Sequence, residues 1–403
     1  VRFQPDATIS DFYLASMARA DCPQPVIRGF PYKFGPILLK DGRILAITDQ
    51  GAPNFRIVEV RPGEPAPEFV DVVTECDALI QGWTITGDRI FVRYLRRLRT
   101  EIEVFDLRGR RHGRVPIDSS HTVRLLPSVD GRGEIFLEEE SFTEPVHILS
   151  YRAGDAAPVL WAKRQILFDS IAFAHEQVSY PSKDGAEIPI FLVGRKEVLA
   201  RGAHPTIMTA YGGYGVPMTP QFSVLVAFLM ERGCLFALPN IRGGSEFGTP
   251  WHEAAKRGNR QVAFDDFLAA AEWLVTTGKT EPEKLAIFGG SNSGLLVGAA
   301  LTQRPELFCA VLCMVPMLDM LRYHFFDNAD VWKEELGTAE DPDDFPHLLA
   351  YSPYHNVRDN VAYPATMIVS GDADQNCNPM HARKMTARLQ AANVSDNTIF
   401  LDY

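Results

Sequence analysis

The chain has 403 residues, 46% hydrophobic and 23% charged, with a formal net charge of −11. That length predicts two or three domains of an ordinary globular protein. The negative charge argues against nucleic acid as the main partner, and no apolar run reaches the ~18 residues that a membrane span needs. The six cysteines form no C-x-x-C pair and no dense framework, so reduced thiols in a cytoplasmic protein are expected.

The first part of the chain repeats itself. Gly42–Ile47 with Phe55–Val60, Asp88–Val92 with Ile102–Leu107, and Gly133–Leu137 with Val146–Tyr151 are pairs of short apolar strands separated by turn residues. Their anchors Ile44, Ile90 and Ile135 are 46 and 45 residues apart. A period near 45 with several strands per unit predicts propeller blades. Tandem sandwich repeats have similar periods, but these units are too small to fold alone and their linkers are short. About three and a half blades are expected over 1–165. A closed propeller has about four blades or more, so the remainder is expected before Val1. Eight arginines lie between Arg93 and Arg114. They predict either a solvated strand face or a basic channel lining that attracts peptide carboxylates.

From about Ile166 the pattern changes. Gln177–Val193 reads as a hairpin turning at Lys183-Asp-Gly185. Strands are then expected at Pro205–Ala210, Cys234–Pro239, Leu285–Phe288, Phe308–Val315, Thr366–Val369 and Thr398–Tyr403. Phe264–Val275 has apolar residues at helical spacing, and Pro379–Ala392 is a second helix with proline in its first turn. Alternating strands and helices predict a mostly parallel sheet with helices on both faces over 166–403.

Within that pattern, Leu285–Phe288 runs into Gly289-Gly-Ser-Asn-Ser-Gly294 and then into an apolar helix. This is the layout of a nucleophile elbow, G-x-S-x-G, with Ser291 as the nucleophile and Ser293 in place of the last glycine. An incidental serine in a strand-to-helix turn would give the same pentapeptide, so the rest of the machinery is required. An acid is expected in a loop after a later strand, where Asp372 and Asp374 are candidates. The N–H of Asn292 and a second donor, for which the Tyr211 hydroxyl in Tyr211-Gly-Gly-Tyr214 is a candidate, would stabilise an oxyanion. No G-x-G-x-x-G opens a helix and no H-E-x-x-H occurs, so no cofactor and no metal are expected.

These stretches, with Tyr180-Pro-Ser-Lys-Asp-Gly185, Asn240–Gly248, Phe264-Asp-Asp-Phe267, Gln303–Phe308 and Tyr351–Val357, resemble the prolyl oligopeptidase family of serine peptidases. The resemblance implies an α/β-hydrolase domain preceded by a β-propeller. By position it makes Ser291 the nucleophile, Asp374 rather than Asp372 the acid, and Tyr211 with the Asn292 amide the oxyanion hole. It places Trp332 under the substrate's proline ring, with Tyr214 and Cys377 lining the same pocket. Two positions depart from the proline-specific pattern. Asn376 stands where an arginine holds the substrate backbone, and Leu336 replaces a pocket tyrosine. Glu334 and Glu335 resemble the basic-specific branch, oligopeptidase B.

The expectation is therefore a monomeric, cytoplasmic serine oligopeptidase without cofactors. It would act on short peptides, on the carboxyl side of proline, and would neither bind nucleic acid nor enter a membrane. Cleavage after basic residues, or a non-catalytic binding protein built from the same two domains, are the alternatives. The triad histidine is expected beyond Tyr403, because only His381 follows Asp374. It lies seven residues on, in a helix, where a surface role is expected. The hydrolase domain, 166–403, is accordingly expected to lack its C-terminal end.

Overall fold

A computed structural model describes residues 2–3, 10–15, 22–61, 63, 67–127, 133–200 and 202–403, the backbone alone for 2, 3 and 10. The first half blade expected from Val1 falls partly outside these residues. The chain divides into two compact units with the main boundary between Arg164 and Gln165; Glu140–Pro145 groups with the second unit and Phe247–Thr249 with the first.

The first unit holds part of a β-propeller: three four-stranded antiparallel sheets, each made of consecutive strands, after a three-stranded one. Ile44, Ile90 and Ile135 all sit at the start of the second strand of their sheet, in Ile44–Thr48, Arg89–Arg96 and Glu134–Glu140. The strands Ile44–Thr48 and Arg89–Arg96 bury both faces, which is why they read as apolar runs. Along Arg89–Arg96, Ile90, Val92 and Tyr94 join Leu45 and Ile57 of the preceding sheet, whereas Phe91 joins Ile135 and Leu137 of the next. Four of the eight arginines pair with acids: Arg96, Arg110, Arg111 and Arg114. Arg93 is buried and donates to the carbonyls of Gln81 and Val123. Burial and the neighbouring Arg124 push its guanidinium down to about 10. Those four form a paired strand face.

The second unit is an eight-stranded sheet. Its strands are β1 (Phe173–Pro181), β2 (Glu187–Arg195), β3 (Thr206–Met208), β4 (Leu235–Pro239), β5 (Leu285–Gly290), β6 (Ala310–Met314), β7 (Ala365–Val369) and β8 (Ile399–Asp402). The spatial order is β1-β2-β4-β3-β5-β6-β7-β8. β1 and β2 are antiparallel, and β4 through β8 run parallel. The helices that matter for the site are α1 (Gln261–Thr276), α2 (Asn292–Gln303) and α3 (Met380–Ala392). In α2 every residue from Asn292 to Thr302 is buried. No helix among the described residues is long and apolar enough to cross a membrane.

Candidate active site

The elbow follows from the glycines around it. β5 ends at Gly290, and Ser291 takes φ 59° and ψ −123° before α2 begins. A non-glycine residue held in this region is strained, and such strain collects at functional sites. A Cβ on Gly289 would lie 2.3 Å from the Ser293 carbonyl oxygen, so this position admits only glycine. Ser293 occupies the last place of the motif without harm, because its hydroxyl donates to the Ala210 carbonyl. As the first residue of α2, Asn292 has no intrahelical acceptor for its N–H, which leaves that donor at the serine.

Around Ser291 the loops after β3 and β7 meet. The Ser291 hydroxyl lies close enough to the Tyr211 phenol and to the Cys377 thiol to lower the pKa of both. Burial raises the Tyr211 phenol, opposed by the nearby Ser291 hydroxyl and the charge of Arg260. Burial and the Asp374 charge push the Cys377 thiol up to about 11, so it is a neutral group beside the serine. Asp374 Oδ1 accepts the N–H groups of Asn376 at 2.8 Å and Cys377 at 2.9 Å, which fixes the carboxylate in its loop. Asp372 is instead exposed and paired with Arg383. The structure thus brings Ser291, Asn292, Tyr211, Cys377 and Asp374 together. The Asn376 side chain is exposed, and Trp332 packs, partly buried, against the hydrolase core. Leu336 is fully buried. Tyr214 has φ 57° and a buried hydroxyl without a hydrogen-bond partner among the described residues.

His381 corrects an expectation. It is 2% exposed, and its Nδ1 accepts the N–H groups of Leu318 and Asp319 at 3.3 and 3.1 Å. Burial lowers it to about 4, so at neutral pH it is a neutral ring whose proton is on Nε2. It is a core residue of α3, neither a surface group nor a base directed at Ser291. Elsewhere in this unit, His252 bonds Glu335 and His355 bonds Ser352.

The two glutamates are also occupied. Glu335 is 5% exposed; its Oε1 accepts the Tyr214 N–H at 2.7 Å and its Oε2 lies 2.7 Å from His252 Nε2. Glu334 pairs with Lys256 at 2.8 Å. Arg260, which the sequence did not single out, is 0% exposed and donates to Asn292 Oδ1.

Three of the remaining stretches that carried the resemblance form a clasp. Arg242 donates to Asp266 through its N–H (3.0 Å), Nε (2.9 Å) and Nη2 (2.6 Å), and to Asp184 at 2.6 Å. Ser182 donates to the same Asp266 carboxylate, and Tyr180 donates to the Asp266 backbone carbonyl at 2.8 Å. Residues from Tyr180–Gly185, Asn240–Gly248 and Phe264–Phe267 therefore converge on one buried carboxylate.

Comparison with known proteins gives a consistent set of matches. The model of the Prolyl oligopeptidase family matches residues 220–401, and that of the Prolyl oligopeptidase N-terminal beta-propeller domain matches residues 6–164. A prolyl endopeptidase of Elizabethkingia miricola is 34% identical over 379 residues, which is 94% of this chain and 54% of the relative. A chain solved in a study of two prolyl endopeptidases superimposes with a TM-score of 0.91 at 39% identity, covering 97% of this chain and 58% of that one. Prolyl oligopeptidase B of Galerina marginata, a histidine-to-alanine variant bound to a 35mer hydrolysis and macrocyclization substrate, superimposes with a TM-score of 0.92 at 27% identity, covering 98% of this chain and 58% of that one. The same enzyme was also solved as serine-to-alanine and aspartate-to-alanine variants. The chain spans about half the length of the curated relatives it matches.

Proposed function

Because the chain belongs to the prolyl oligopeptidase family, we propose that the full-length protein is a serine peptidase that hydrolyses short peptides on the carboxyl side of proline. The observation that carries this reading is Ser291 itself, strained at the elbow and near the Tyr211 phenol. In the proposed mechanism Ser291 Oγ attacks the scissile carbonyl carbon and its proton passes to a histidine. Asp374 orients that imidazole, and the Tyr211 hydroxyl and Asn292 N–H donate to the developing oxyanion. The histidine then protonates the leaving amine, and water releases the acyl group by the same steps in reverse. That histidine is proposed to lie outside this chain, after β8. No cofactor enters the proposal.

Proline preference is supported by the names of the relatives and by Trp332, whose ring offers a flat apolar face to a proline. Against cleavage after basic residues, Glu335 is already bonded to Tyr214, His252 and Arg260, and Glu334 to Lys256. A monomer in the cytoplasm, with the propeller limiting entry to short peptides, completes the proposal.

Profiling the full-length protein against a peptide library tests it. Cleavage after proline is expected, and preference for arginine would replace it with the basic-specific reading. Trp332→Ala should lower kcat/KM for proline substrates by about 10-fold or more, and for alanine substrates by less. Equal losses would make Trp332 a structural residue.

A further inference from the structure

Tyr211 reaches Ser291 from a loop whose glycines give it no stiffness of its own, so something must fix the phenol where an oxyanion forms. The backbone carbonyl of Tyr211 accepts Asn292 Nδ2 at 2.6 Å. Asn292 Oδ1 in turn accepts Arg260 Nη2, and both side chains are 0% exposed. Gly213 rests directly on this pair: a Cβ there would stand 2.7 Å from Asn292 Nδ2 and 2.8 Å from Arg260 Nη1. Arg260 Nη1 is 3.6 Å from Glu335 Oε1, the oxygen that also accepts the Tyr214 N–H. His252 Nε2 closes the row on Glu335 Oε2.

We propose that the row His252–Glu335–Arg260–Asn292 positions Tyr211, so that this loop is set through its backbone from a buried guanidinium. Asn292 then has two separable jobs: its N–H is an oxyanion donor and its side chain is a positioning group. The inference rests on the serine peptidase reading above. Burial alone would raise the Glu335 carboxyl, but His252, the Tyr214 N–H and the Arg260 charge outweigh burial and hold it below the usual carboxylate range. Glu335 is therefore an anion that draws Arg260 and the Tyr214 amide to one carboxylate oxygen, joining the two ends of Tyr211-Gly-Gly-Tyr214. This also explains why an acidic residue occupies the segment after Trp332 without serving a substrate cation.

The test is a double-mutant cycle in the full-length enzyme. Asn292→Ala keeps the backbone N–H and removes the link to Tyr211. It should lower kcat by about 10-fold or more, because a donor displaced by a fraction of an ångström is lost to the transition state, while KM changes by less than about 3-fold. In a Tyr211→Phe background, where no phenol remains to be positioned, the same substitution should lower kcat by less than about 3-fold. Arg260→Lys, which keeps the charge, should restore part of the loss seen in Arg260→Met, and it carries the same cycle if Asn292→Ala does not fold. Equal losses in the unmodified and Tyr211→Phe backgrounds would overturn the positioning role while leaving the peptidase reading intact. No turnover by the unmodified full-length enzyme would overturn both.

Discussion

Arginine is used in two different ways in the two units. In the propeller unit Arg111 and Arg114 lie on a strand face about half exposed, and each pairs with Glu103 on the adjacent strand at 3.0–3.1 Å. In the hydrolase unit Arg242 and Arg260 are 11% and 0% exposed. Each joins segments that are far apart in the chain, Arg242 holding Asp184 and Asp266, Arg260 reaching Asn292 and Glu335. Water already solvates the first kind, so its pairs add little to stability. The second kind has left water, and a partner removed there leaves an uncompensated buried charge. The propeller face is therefore predicted to tolerate change, while the buried arginine clusters of the hydrolase unit are not.

The largest effect expected from breaking this comparison is at Arg242. Arg242→Met would strand Asp266, which has no exposure, and should destabilise the hydrolase unit by ~3–5 kcal/mol, read as a lower urea midpoint for its unfolding. A loss under ~1 kcal/mol would show that the clasp is replaceable. Next is Glu246, a buried carboxyl without a cation among the described residues, raised by burial from 4.5 to about 7 despite the Met218 N–H and Asn240. A folded-state value above the unfolded one gives stability that is complete below about 4.5 and lost as pH rises through about 7. The unit should lose roughly 3 kcal/mol across that window, and Glu246→Gln should abolish that loss and be the more stable protein at pH 8. Urea midpoints at pH 5 and 8 for both proteins would decide it; parallel pH dependence would refute the buried-carboxyl account. The smallest effect is at the propeller. Arg111→Ala should change stability by less than ~1 kcal/mol, and by less again in about 0.5 M salt. A large loss there would erase the distinction between the units.

The same contrast explains what the sequence made legible. In the four-stranded sheets of the first unit the inner strands were readable because they bury apolar residues, giving the runs around Ile44, Ile90 and Ile135. The outer strands were not. Val159–Lys163 is exposed at every position, and Arg111–Arg114 is polar throughout, so neither carries a period that a reader can detect. In the second unit the strand positions, the hairpin at Lys183–Gly185 and both helices were legible to within a few residues. β3 is shorter than its apolar run, because Ala210 and Tyr211 leave the sheet to form the loop at Ser291. His381 was misread because a polar residue in a first turn resembles a surface group. It shares one helical face with Met385 and Leu389, at spacings of four, and that stripe is buried. The pairing of Glu335 with Arg260 was beyond reach: they are 75 positions apart, and only the fold brings one to neutralise the other.

Everything proposed for the site depends on Ser291 being the activated nucleophile of a serine peptidase. The most direct test is to treat the full-length protein with a fluorophosphonate and measure intact and peptide masses. One phosphonyl adduct on Ser291, absent from Ser291→Ala and accompanied by complete loss of peptide hydrolysis, is the predicted result. An unmodified wild-type protein, or an adduct that persists in Ser291→Ala with peptide hydrolysis intact, would contradict it.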